Sequence, residues 1–284
     1  HSTMKLSSKA ANKTSRVLVY GGPKTGKTKL VGKLASAYDL VYFDLENGYE
    51  TLLRLPKEQQ ERIELISLPD SRVFPIAIET LLKVVKGNKV TICEEHGKVN
   101  CPVCTKAGAA TTTVELNALP TSSIVVFDSI TQLANSAMSF ITKDKPDDYK
   151  YEWDDYRRQG TVMDKFLSQI QQAKYNVVCI THETETEMED GKKKLVPVAG
   201  TTTFSRNTAK YFDHVVYAEL KNRKHIFASS TTYATNVITG SRLDIEVEDS
   251  LLPIFQRDTI KPLDQGATAL NGLKKLQLGG VLKK

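Results

Sequence analysis

The residues best suited to chemistry in this chain are Gly21-Gly22-Pro23-Lys24-Thr25-Gly26-Lys27-Thr28. They fit G-x-x-x-x-G-K-[ST], the phosphate-binding P-loop. Backbone N–H groups in such a loop point inward and form a nest for phosphate oxygens. The following helix N-terminus adds partial positive charge. Gly22, Pro23, Lys24, Thr25 and Gly26 would line the nest. Lys27 would reach the β- and γ-phosphates, and the Thr28 hydroxyl would ligate Mg²⁺. Glycine is needed where a Cβ would block close approach of the backbone.

Two carboxylates narrow the chemistry. Asp128 ends the apolar run Ile124-Val125-Val126-Phe127, the arrangement of a Walker B acid that holds Mg²⁺ with Thr28. The alternative is an ordinary strand-ending aspartate. Glu46 follows Phe43-Asp44-Leu45 at the end of the strand after the P-loop helix. Strand ends line the ligand crevice of open α/β sheets, so Glu46 is placed to polarise a water for attack on a γ-phosphate. The alternative is a turn carboxylate ahead of Asn47-Gly48, and Asp44 reads as support for the site.

A second constellation is Cys93-Glu94-Glu95-His96 and Cys101-Pro102-Val103-Cys104. C-x2-H, a short connector and C-x2-C supply three thiolates and an imidazole, the donor set of a closed structural Zn²⁺ site. Disulfides or free thiols are the alternative, and an intracellular setting disfavours disulfides. Cys179 lies inside an apolar strand and reads as an inert core residue.

Elements of alternating type must position these groups. Residues 16–20, 40–44, 63–68, 123–128, 176–181 and 212–218 read as strands, and 28 to about 37, 76–85 and 163–173 as helices. Residues 224–228 and 233–237 are expected to pair as a later hairpin. Apolar strands alternating with helices imply an α/β fold with a mostly parallel sheet covered on both faces. Residues 89–92 and 112–116 would flank the metal ligands, making a zinc-ribbon-like insertion at about 89–116.

Composition sets bounds. The 284 residues suffice for one large domain, and the net charge of +6 favours a polyanionic partner only weakly. No apolar run reaches the roughly 18 residues of a membrane span, and no signal-peptide core is present, so a soluble intracellular protein is expected. His1-Ser2-Thr3 reads as a cloning scar, residues 1–14 as a flexible arm, 15–257 as the core and 258–284 as a tail.

The order of these motifs resembles the RecA-like ATPases, and more closely the compact phage-encoded RecA-like proteins that act in DNA recombination with single-strand-annealing and single-strand-binding proteins. The resemblance spans roughly residues 16–237. It implies an ATPase (ATP and water to ADP and phosphate) stimulated by single-stranded DNA, assembled as a homo-oligomeric ring or filament. It also implies location in the cytoplasm of a bacterial host. Lys27, Thr28, Glu46 and Asp128 match the family's site residues. His182 stands where the family has a polar γ-phosphate sensor, commonly Gln. Two loops would face DNA, about 141–153 with Tyr149, Tyr151 and Trp153, and 183–207 with Lys192-Lys193-Lys194. Arg206, Lys221, Arg223 and Lys224 are candidates for a cation supplied to a neighbouring subunit. A hexameric helicase or translocase motor and a P-loop small-molecule kinase are the competing readings; the chain shows no Arg-rich kinase lid.

Overall fold

A computed structural model describes residues 3–256; the expected tail at 258–284 lies outside the described residues. Residues 3–11 fall in a unit of their own and carry a single 3₁₀ turn at Leu6–Ser8. The rest of the description concerns Asn12–Gln256.

Twelve strands are present among the described residues: β1 (Arg16–Gly21), β2 (Asp39–Asp44), β3 (Ile63–Ser67), β4 (Val90–Cys93), β5 (Thr111–Val114), β6 (Ser123–Asp128), β7 (Asn176–Thr181), β8 (Glu183–Glu187), β9 (Lys193–Pro197), β10 (His214–Lys221), β11 (Lys224–Ala228) and β12 (Gly240–Ser241). The helices are α1 (Lys27–Gly32), α2 (Lys57–Gln60), α3 (Ile76–Val84), α4 (Pro102–Ala107), α5 (Ile130–Ile141), α6 (Trp153–Gln171), α7 (Thr202–Ser205) and α8 (Leu252–Phe255). The main sheet runs β11-β10-β1-β7-β6-β2-β3. Its strands from β10 to β3 are parallel, and β11 and β12 pair antiparallel with β10. This is the mixed, mostly parallel sheet of an α/β P-loop NTPase.

The period-2 alternation of each strand divides the apolar residues between two faces. Leu18, Tyr20, Phe43, Val125, Phe127 and Cys179 share one cluster with Leu81 of α3, Leu133 of α5 and Phe166 of α6. Val17, Val19, Tyr42, Val126 and Ile180 share the other with Leu30 and Val31 of α1. Phe127 stacks on Phe43 at 5.2 Å and meets Phe166 edge-on at 5.3 Å, which pins β2, β6 and α6 together. Fully burying each such ring contributes roughly 1.5–3 kcal/mol.

Several elements differ from the sequence expectation. Residues 224–228 pair with β10 rather than with 233–237. Asn222 and Arg223, both at left-handed φ (51° and 63°), close a two-residue turn whose twist suits adjacent antiparallel strands. Residues 233–237 form no strand. Helix α6 starts at Trp153, ten residues before the expected start at 163, because Glu152 and Asp155 form a reciprocal capping box. Helix α5 was not foreseen. The P-loop helix gives way after Gly32 to a 3₁₀ segment, Lys33–Ser36. The 183–207 segment, expected as a loop, contains the β8–β9 hairpin and α7.

Candidate functional site: a nucleotide crevice and a metal cluster

The P-loop joins β1 to α1. A Cβ at Gly21 would lie 2.1 Å from the Ala218 carbonyl oxygen, so only glycine lets β1 and β10 approach there. Gly26, the residue capping α1, has φ +88°. Lys27 is buried, and its ammonium donates to the carbonyls of Gly21 (2.9 Å) and Gly22 (2.6 Å). Burial lowers its pKa, while the charges of Asp128, Glu183 and Glu46 act the other way. This lysine folds against the loop that would cradle phosphate, ringed by carboxylates.

Sheet register brings the next groups to the same crevice. Asp44 and Asp128 are paired positions on adjacent strands, at the C-terminal ends that border the P-loop. Asp128 is two residues beyond Val126 and therefore points to the α1 face. Its Oδ2 accepts from Thr28 Oγ1 at 3.0 Å and Tyr42 Oη at 2.6 Å. Burial pushes the Asp128 pKa up to about 6, against the hydrogen bonds from Tyr42 and Thr28; nearby Glu46 and Asp44 add to the rise. A divalent cation is the natural counter-charge for such a carboxylate. The oxygen donors of Thr28 and Asp128 fit Mg²⁺.

Glu46 sits just past β2. Asp44 is buried, and its Oδ1 accepts from the backbone N–H groups of Glu46 (3.0 Å) and Gly48 (3.3 Å), which fixes the turn that presents Glu46. Glu46 Oε1 accepts from His182 Nε2 at 2.7 Å and from the Ser129 hydroxyl. Ser129 also caps α5 by accepting from Gln132 N, and the Asp128–Ser129 peptide is cis. Burial tends to raise the Glu46 pKa, but the hydrogen bonds and charges of His182, Ser129 and Lys27 outweigh it and leave it lowered. The result is an ionised carboxylate at the mouth of a phosphate loop, oriented from two sides. His182 itself is anchored by its N–H donating to Thr131 Oγ1 (2.9 Å).

The structure thus brings together Lys27, Thr28, Glu46, Asp128 and His182. The profile of the AAA domain family matches residues 13–243, the stretch that holds all of them. The chain belongs to the AAA domain family. It carries a P-loop ATPase domain, with nucleotide as substrate and Mg²⁺ as the ion its oxygen donors suit. No curated protein matches the chain. Among the described residues no helix is long and apolar enough to cross a membrane.

The metal-ligand candidates also meet. Cys93 Sγ, His96 Nδ1, Cys101 Sγ and Cys104 Sγ all lie within 4.8 Å of one another. His96 Nδ1 is 3.9 Å from Cys93 Sγ, 3.8 Å from Cys101 Sγ and 3.1 Å from Cys104 Sγ. Three thiolates and one imidazole gathered this closely are the donor set of a tetrahedral Zn²⁺ site. β4 and β5 pair antiparallel, Cys93 ends β4, and Cys101 and Cys104 lie at the start of α4. The three sulfurs are buried, and Cys101 is held down to about 7, first by the N–H of Cys104. Val99 and Ile92 enter the main core, and Thr80 Oγ1 donates to Gly97 O at 2.5 Å, which tie the module to the sheet.

A cleft of about 1410 Å³ joins the two sites. It runs from Glu46 and His182 past Asp70 and Phe74 to His96 and Cys101.

The cations considered for a neighbouring subunit divide. Lys221, Arg223 and Lys224 are exposed at the β10–β11 tip, whereas Arg206 is half-buried with Nε unpaired. Sequence reasoning missed Tyr42, Glu183 and His225. His225 Nδ1 donates to Thr25 O at 2.8 Å, and its ring stands against Gly26. That contact depends on the β10–β11 hairpin, for which the paired segments were misassigned. Tyr42 carried a usable signal, since it shares the strand face of Asp128.

Proposed function

We propose that this protein hydrolyses ATP while acting on single-stranded DNA in recombination, as a RecA-like homo-oligomer. Phage origin and a single-strand-binding or annealing partner belong to the same reading. The observation that carries the hydrolysis is Glu46, held ionised by His182 and Ser129 beside Lys27. In this reading Glu46 accepts a proton from the attacking water, and Lys27 neutralises charge on the transferred phosphoryl group. Thr28 and Asp128 would hold Mg²⁺, which supplies further charge neutralisation. His182 orients Glu46 and links it to β7. The metal cluster serves structure, because four protein ligands leave no open position.

The DNA part is supported by the segment between α5 and α6. Trp153 is 77% exposed, and Tyr151 and Tyr156, close to it in sequence, are exposed too, with their rings 6.0 Å apart and perpendicular. Lys145 lies close in sequence to this ledge, as does Arg157, which pairs with Asp154 at 2.8 Å. Exposed aromatics interleaved with cations suit base stacking and phosphate contact. The β8–β9 hairpin suits DNA less, because Lys193 faces Glu187 across the strands and its Nζ is 3.7 Å from Glu185 Oε1. Helix α5, capped by Ser129 on Glu46, leads to Phe140 and Lys143 in the same cleft, ahead of the ledge in the chain.

The test is steady-state ATP hydrolysis with and without a single-stranded oligonucleotide. The wild-type rate should rise with DNA. Trp153→Ala should weaken DNA binding about fivefold to a hundredfold while leaving the DNA-free rate unchanged. A wild-type protein that neither binds the oligonucleotide nor responds to it would overturn the DNA reading.

A further inference from the structure

We infer that Glu183 is a carboxylate held against the phosphate loop whose negative charge weakens binding of ATP and ADP. This rests on the reading of the crevice as an ATP site. Glu183 opens β8, directly after His182. Its Oε1 lies 2.9 Å from where a Cβ on Gly22 would be, so the carboxylate packs against the P-loop backbone. Its Oε2 accepts from Tyr217 Oη at 3.0 Å, which holds it there. The Tyr217 ring in turn meets Tyr20 of β1 at 5.1 Å. Glu183 is thus fixed from β10, beside the same Gly22 whose carbonyl accepts from Lys27.

Three carboxylates, Asp128, Glu183 and Glu46, act on the Lys27 charge. Two have an evident partner in the reaction: Asp128 suits the metal ion, and Glu46 the attacking water. Glu183 has neither. Nucleotide phosphates at the P-loop would meet its negative charge at short range, where low dielectric makes like-charge repulsion strong. The repulsion grows with phosphate charge, so it opposes tight retention of ATP and, to a lesser degree, of ADP. Its position after His182 places the carboxylate on the same backbone stretch that orients Glu46.

Glu183→Gln keeps the shape and an acceptor for Tyr217 but removes the charge. Binding of a fluorescent ATP analogue and of ADP should tighten about fivefold to tenfold, and the gain should shrink as salt is raised. KM for ATP should fall with it, while zinc content and melting temperature stay unchanged. Tyr217→Phe, which frees the carboxylate without removing it, should produce a smaller gain. Equal or weaker nucleotide binding by a folded Glu183→Gln protein would overturn the inference. Absence of nucleotide binding by the wild type would instead overturn the ATP-site reading beneath it.

Discussion

Lys27 and Thr28 at the start of α1 and Glu46, Asp128 and His182 at or just past strand ends span residues 27 to 182, whereas Cys93, His96, Cys101 and Cys104 come from one short stretch. The first set is held in place by sheet register. Asp128 faces Thr28 because β6 lies beside β2 in a register that pairs Asp44 with Asp128, and a one-residue slip would turn the carboxylate to the opposite face. The second set is held by local turns and, in this account, by the ion itself. The two sites obey different forces: the nucleotide crevice is as stable as the sheet, and the metal cluster as stable as its metal–ligand bonds. The modules are nevertheless joined through Gly97, which packs on Leu68 and Pro69, and Leu68 N donates to Asp44 O at 3.0 Å.

Removing the metal should break the comparison most visibly. Elemental analysis should find about one zinc per chain, lost in the Cys101→Ser/Cys104→Ser double variant. The melting temperature should fall by several degrees, and ATP turnover should stay within about threefold, because Ile92, Val99 and Val114 still anchor the module in the sheet core. Collapse of hydrolysis on metal loss would show that the two sites are one unit.

A smaller effect is expected within the nucleotide crevice. His182→Ala removes one of two hydrogen bonds that orient Glu46 and should lower kcat about tenfold, with KM for ATP and zinc content unchanged. His182→Gln should restore part of the loss, since an amide can donate to Glu46. A matching rise in KM would assign His182 to nucleotide binding instead.

How much of this was legible beforehand follows from which forces are local. The P-loop, the strand-ending Asp128 and the C-x2-H and C-x2-C pairs are short patterns whose chemistry fixes their spacing. Their meeting in space was also within reach, because apolar strands alternating with helices leave few topologies. The partner of Lys224–Ala228 was missed because the turn at Asn222-Arg223 shows its left-handed conformation only in the folded chain. Helix α5 was missed because its start is set by Ser129, whose hydroxyl serves both Gln132 N and Glu46. Glu183 carries no local signal of a site residue; its contact with the P-loop is held from β10 through Tyr217.

The central claim, that Glu46 serves hydrolysis in a crevice that binds nucleotide independently of it, is tested most directly by single-turnover ATP hydrolysis with Glu46→Gln. The amide keeps the size of the side chain but accepts a proton poorly. The account predicts a rate lowered by about a hundredfold or more, with ATP affinity within about threefold of wild type. Hydrolysis at the wild-type rate by the variant would contradict it.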